Sequence, residues 1–158
     1  MPKVPLSFLI ASISFTVFLG IYFLIRKKYI LNHYKQPDSK ELKSINGMII
    51  TERGFLRKNF QWCSFDMLIN DNSIFLFPKA FYFIPSSIIN LIFSNSKKEN
   101  TKRPTLLREF KISRNNIELI YYPDYLITGK RRILLNNLKP EQFSLLEEIL
   151  THKSRRIY

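Results

Sequence analysis

"WCSFDMLINDNSIFLFPK" (Trp62–Lys79) decides how this chain folds. In Trp62–Asn70, Phe65, Met67 and Ile69 fall on one face and Asp66 and Asn70 on the other, which is the period of a strand. Asp71-Asn72 is a tight-turn pair, and Ser73–Lys79 returns as a second β-rich run. The stretch reads as a β-hairpin.

Working outward, the same kind of pattern recurs on both sides. "AFYFIP" (80–85) reads as a further strand ended by Pro85, and "GMIIT" (47–51) as one that precedes the hairpin. "TLLREFKIS" (105–113) and "NIELIYY" (116–122) flank a polar turn and make a second hairpin, with Ile117, Leu119 and Tyr121 opposite Glu118. "YLIT" (125–128) and "RRILL" (131–135) make a third pair. The period then changes. In "LKPEQFSLLEEILTHK" (138–153), Phe143, Leu146, Ile149 and Leu150 form one helical stripe, with Pro140 and Glu141 suited to its first turn. The expected fold class is α+β: a mainly antiparallel β-sheet or barrel closed by a C-terminal amphipathic helix.

This order of elements resembles the pleckstrin-homology-like (PH-like) superfold, including the bacterial PH and GRAM-like domains attached to transmembrane helices. The residues that carry the likeness are "DNSIFLFPKAFYFIP" (71–85), similar to paired strands leading to an Ile-Pro step, and "RRILLNNLKPEQFSLLEEIL" (131–150), similar to the last strand, loop and closing helix. The likeness spans about residues 45–151. It implies a binding module, with a basic cluster in the first strand loop suggested by "RGFLRKN" (53–59).

Ahead of the β-rich part, Val4–Ile25 contains no charge. At about 1.5 Å per residue, a helix of this length reaches about 33 Å, enough for the roughly 30 Å hydrocarbon core of a bilayer. The rival is a cleaved signal peptide, but the run exceeds an h-region of roughly 7–15 residues and no A-x-A-like site follows it. Lys3 precedes the run, whereas Arg26, Lys27, Lys28, His33 and Lys35 follow it. The positive-inside rule then places the N-terminus outside and the remainder in the cytoplasm. Pro37 and the polar stretch around it break any continuing helix. The expected organisation is an anchor with its flanking charges (1–28), a juxtamembrane linker (29–44) and a soluble domain (45–158).

Composition agrees. Net charge is +13, and residues 29–158 alone carry 21 basic against 12 acidic side chains. Such a surface suits anionic lipid, nucleic acid or an acidic protein; no nucleic-acid motif is present, and the anchor restricts access to nucleic acid. Cys63 is the single cysteine, so no intrachain disulfide forms. One cysteine and two histidines leave no zinc set, and no nucleophile–base pair is legible. Neither enzyme activity nor a metal or cofactor is expected.

Two stretches invite functional readings. In "FYFIPSSIINLIFSNSKKENTKRP" (81–104), Ile88, Ile89, Leu91, Ile92 and Phe93 are candidates for membrane insertion or partner contact, with Lys97, Lys98, Lys102 and Arg103 on lipid headgroups. The bland reading, which short apolar runs favour, is a strand, a short core-facing helix and a solvated loop. Arg26, Lys27 and Lys28 are further headgroup candidates. "GKRR" (129–132) reads as a basic hairpin turn, with a phosphate-binding corner as its rival. The expected function is a membrane-tethered interaction module that binds anionic lipid or a protein partner at the cytoplasmic face. The alternative is an accessory or immunity-type subunit of a membrane complex.

Overall fold

The computed structural model describes residues 5–54, 57–94, 104–123 and 129–154. The chain opens with helix α1 (Leu6–Tyr34). Pro5 stands at its N-cap in an extended conformation, and the Pro5 carbonyl accepts a hydrogen bond from the Phe8 amide at 2.9 Å. The helix ends just ahead of Pro37, with Lys35 extended at the C-cap. α1 is long and apolar enough to cross a membrane, and the apolar window is not buried against the protein.

Eight strands follow among the described residues: β1 (Lys40–Arg53), β2 (Arg57–Ile69), β3 (Ser73–Ala80), β4 (Ile84–Pro85), β5 (Ile89–Ile92), β6 (Thr105–Ser113), β7 (Asn116–Tyr121) and β8 (Gly129–Asn136). Helix α2 (Pro140–Ser154) comes last. Hydrogen bonding passes through β1, β2, β3, β5, β6, β7 and β8 and returns from β8 to β1, so the sheet closes into a barrel. The fold is α+β. β4 is a two-residue strand that pairs antiparallel with the last two residues of β3.

The central hairpin is as the alternation requires: Met67 faces Leu76 and Ile69 faces Ile74. The second hairpin forms as β6 and β7, with Ser113 opposite Asn116. The sheet is mixed, because β5 and β6 run parallel across Leu91/Thr105 and Ile92/Leu106. A parallel pair needs a crossover connection, and local alternation gives no sign of it. Other expectations change. β1 begins at Lys40, inside the stretch read as linker. Ala80–Pro85 is not one strand: Phe81, Tyr82 and Phe83 form a turn. The helix considered around Ile88–Phe93 is strand β5. β8 pairs with β7 and β1, and the expected partner 125–128 lies outside the described residues.

Phe65, Met67, Ile74, Leu76, Ile117, Leu119, Ile133 and Leu135 fill the barrel. Leu146 and Leu150 of α2 are buried in that same core, with Phe143 and Ile149 packed at its edge. α2 lies at the end where β8 finishes and β1 begins. Gln142 fixes it there: its Oε1 accepts from the Lys139 amide at 3.1 Å, and its Nε2 donates to the Lys43 carbonyl at 3.2 Å.

Closure imposes one tight approach. Gly47 of β1 sits between Cys63 of β2 and Leu135 of β8. A Cβ there would stand 2.1 Å from the Leu134 carbonyl oxygen and 2.9 Å from the Phe65 ring. Gly47→Ala is expected to lower stability by about 1–3 kcal/mol or more, the usual cost of overpacking. Thermal unfolding of the purified full chain measures this, and an unchanged midpoint would contradict the packing at the barrel seam.

Candidate anion-binding site

Two faces of β2 organise the surface. Odd residues from Cys63 to Ile69 point into the barrel, and even residues point out. The outward residues meet α1. Leu68 packs with Ile30, Phe75 and Phe77, and Leu31, Tyr34 and Ile88 close over them. Asp66 receives the Lys27 ammonium at 2.5 Å and the Lys79 ammonium at 2.9 Å. Asn70 donates to the Tyr34 carbonyl at 2.7 Å and accepts from the Ser39 hydroxyl at 2.7 Å. Read from Lys27 to Tyr34, α1 therefore runs along β2 from Asp66 towards Asn70.

Asp66 takes a third partner from the backbone. β1 is irregular between Leu42 and Ile45, and Ser44 there has φ of 56°. Such a bulge redirects a backbone group, and the Ser44 amide donates to Asp66 Oδ1 at 3.0 Å. Burial by itself pushes the Asp66 carboxyl up; the hydrogen bonds from Lys27, Lys79 and Ser44 and the Lys27 charge outweigh it, holding the group down at about 2. Lys27 also lies over the Phe77 ring, 5.3 Å from its centroid.

The barrel ends differ in chemistry. α2 occupies one end. At the other, where β1 finishes and β2 and β8 begin, a cleft of about 220 Å³ is lined by Thr51, Arg53, Arg57, Lys58, Asn59 and Arg131. Register explains the composition. Thr51 faces Asn59 and Arg131, and Arg53 faces Arg57, so these side chains continue the inward rows above the apolar core. The Arg131 Nε donates to the Thr51 hydroxyl at 3.1 Å. On the outward rows the charges are matched: Glu52 meets Arg132 at 3.1 Å, Lys130 at 3.4 Å and Lys58 at 3.8 Å, and Glu118 meets Arg132 at 3.0 Å. Burial pushes Glu52 up, but Arg132, Lys130 and Lys58 outweigh it and hold the carboxyl below its usual range. Among the described residues no carboxylate lines the cleft itself. Guanidinium groups converging at a rim suit a phosphate or carboxylate.

The sequence singled out "RGFLRKN" and "GKRR" separately, and the β1–β2 and β1–β8 pairings together bring Arg53, Arg57 and Arg131 to one cleft. Lys27, read as a headgroup contact, is engaged by Asp66. Arg26 lies over the Tyr22 ring of its own helix at 5.7 Å, and Lys28 is exposed on α1. Lys97, Lys98, Lys102 and Arg103 lie outside the described residues. Ile89, Leu91 and Phe93 are buried in the barrel core and Ile92 is buried beside them, so in this fold they present no inserting surface. Ile88 packs on the α1 cluster. Cys63 is buried, which pushes its thiol up to about 11, and it is protonated at neutral pH. Among the described residues no group of His, Cys, Asp and Glu is arranged to hold a metal ion. Compared with protein-family models, curated proteins and solved structures, the chain has no match.

The depressed Asp66 carboxyl makes the docking of α1 pH-dependent. Its contribution is complete above the ordinary value of 3.8 and is lost as pH falls through about 2. Asp66→Asn is expected to cost about 1–3 kcal/mol at neutral pH, the scale of hydrogen bonds to a charged group, and to remove that acid-side loss. Unfolding midpoints of both chains across this pH range measure it. An identical pH profile in the two chains would contradict the role of Asp66.

Proposed function

We propose that this chain is a single-pass membrane protein with a PH-like barrel that takes an anionic phospholipid headgroup in its basic cleft. The observation that carries the reading is one of direction. The cleft and the free apolar part of α1 leave the barrel from the same end, opposite α2. A bilayer that holds α1 then lies in front of the cleft.

The basic residues that follow the apolar run support a cytoplasmic barrel, where the leaflet is anionic. Arg53, Arg57 and Arg131 would bind the headgroup phosphate, with Lys58 adding charge at the edge. Each cation near such a surface contributes about 1 kcal/mol. Weak intrinsic affinity suffices, because the anchor converts binding into an intramolecular event at high local concentration. The module on this reading senses or gathers anionic lipid around α1 and performs no covalent chemistry.

The test uses the purified full chain in neutral detergent, with a short-chain anionic phospholipid added in one series and its zwitterionic counterpart in another. The anionic lipid is expected to raise the unfolding midpoint, by an amount equivalent to about 2.7 kcal/mol when its concentration is a hundred times Kd. Arg53→Gln combined with Arg57→Gln should abolish the difference. Equal shifts with the two lipids, or a shift that survives the double substitution, would refute headgroup binding in the cleft.

A further inference from the structure

Among the described residues, every strongly exposed large apolar side chain outside α1 is aromatic: Phe60, Trp62, Phe81, Tyr82, Phe83 and Tyr122. All of them lie at one end of the barrel. Phe60 and Trp62 are in the first half of β2, ahead of the stretch that pairs with β3. Phe81–Phe83 follow the end of β3, and the Phe81 amide donates to the Trp62 carbonyl at 3.3 Å. Tyr122 follows β7, whose last residue pairs with Arg131 of the cleft. The aromatic residues therefore stand at the end of the barrel that carries the basic mouth.

The turn that presents three of them runs against local preference. φ is 49° at Phe81 and 69° at Tyr82, and the Phe83 amide donates to the Ala80 carbonyl at 3.2 Å. Two successive positive φ values are the requirement of a type I′ turn, which Asn-Gly meets at least cost and bulky residues meet with strain. Packing inside the barrel does not compensate, since Phe81 and Phe83 are 71% and 73% exposed. Backbone strain of this kind clusters at binding positions, and here it holds three aromatic side chains outward.

Depth follows from the docking of α1. The outward row of β2 meets Ile30 at Leu68 and Lys27 at Asp66. The same row continues through Ser64 to Trp62 and Phe60, in the direction of the N-terminal half of α1. β4, directly after the aromatic turn, lies against α1, and Phe23 on the barrel side of α1 is half-buried. A span beginning near Val4 needs about 20 residues to cross the hydrocarbon core, so its last turns are near Phe23. Phe60, Trp62 and the turn after β3 therefore lie on the side of the Lys27–Asp66 contact that faces the apolar part of α1, towards the interfacial depth that Trp and Tyr favour.

We infer that the aromatic rim of Phe60, Trp62, Phe81, Tyr82, Phe83 and Tyr122 seats in the interfacial layer of the bilayer that α1 crosses. This rests on the proposed reading of α1 as a span, but not on the charge of the lipid. The rim is a second, non-covalent attachment that presses the cleft onto the headgroups.

Trp62 is the one tryptophan of the chain and reports its own depth. The full chain is reconstituted into bilayers of neutral phosphatidylcholine, washed with carbonate, and read by tryptophan fluorescence with lipids brominated near the headgroup end of their acyl chains. The expected result is blue-shifted emission that bromolipid quenches and aqueous iodide does not. Phe81→Asn combined with Tyr82→Gly should reduce the bromolipid quenching while leaving the unfolding midpoint unchanged or raised, because it relieves the turn. Retained chain with iodide-quenched, bromolipid-insensitive Trp62 would overturn the rim and leave the span standing, as would full bromolipid quenching in the double variant. Loss of the chain in the wash would overturn the span and the rim together. Because the lipid is neutral, these outcomes are independent of headgroup binding in the cleft.

Discussion

Asp66 with Lys27 on one side and Lys79 on the other is the interaction on which the arrangement depends. It joins a helix that leaves the barrel to two strands that build it. The carboxylate is buried, and a buried charge is costly unless its partners are in place. Here three donors converge on it: two ammonium groups and the Ser44 amide. The apolar cluster of Ile30, Leu68, Phe75 and Phe77 continues the same contact one turn further along α1. Specificity of orientation comes from the charge, and most of the adhesion comes from the apolar burial.

Fixing α1 to the outward face of β2 and β3 gives the barrel a polarity. One end holds α2, which completes the core with Leu146 and Leu150. The other end carries the convergent guanidinium groups and the exposed aromatic side chains. The two chemistries fall together for a structural reason. Beyond Ile49, Cys63 and Ile133 the inward rows no longer have a core to fill, so they are free to carry Thr51, Arg53, Arg57 and Arg131. The outward rows at that end have no α1 over them, so Phe60 and Trp62 are left uncovered.

Much of this architecture was legible in local pattern. The alternation of Phe65, Met67 and Ile69 marks the inward face of β2, and the spacing of Phe143, Leu146 and Leu150 marks the buried side of α2. What was not legible is non-local. Asp66 is visibly on the outward face, but its partner Lys27 lies 39 residues earlier in the chain, in what reads as a topology signal. The parallel β5–β6 pair and the meeting of Arg53 with Arg131 likewise depend on closure of the barrel. Phe81–Phe83 failed for another reason. Aromatic residues favour strands, and the strand expectation yielded to a turn in which two of them take positive φ. For Ile89 and Leu91 the short apolar run favours core over an inserting surface, and pairing with β3 places them in the core as a strand instead of the expected helix.

With Asp66 and the Leu68 cluster holding it, α1 is expected to move with the barrel as one body, the cleft at the end from which α1 departs. The most direct measurement is a distance distribution between spin labels placed by Lys28→Cys on α1 and Arg108→Cys on β6, both at exposed positions. The buried Cys63 stays unlabelled in the native chain. The full chain reconstituted in a bilayer is expected to give a single narrow distribution. A broad or multimodal distribution would mean that the barrel swings freely on α1, and the fixed orientation of the cleft would be contradicted.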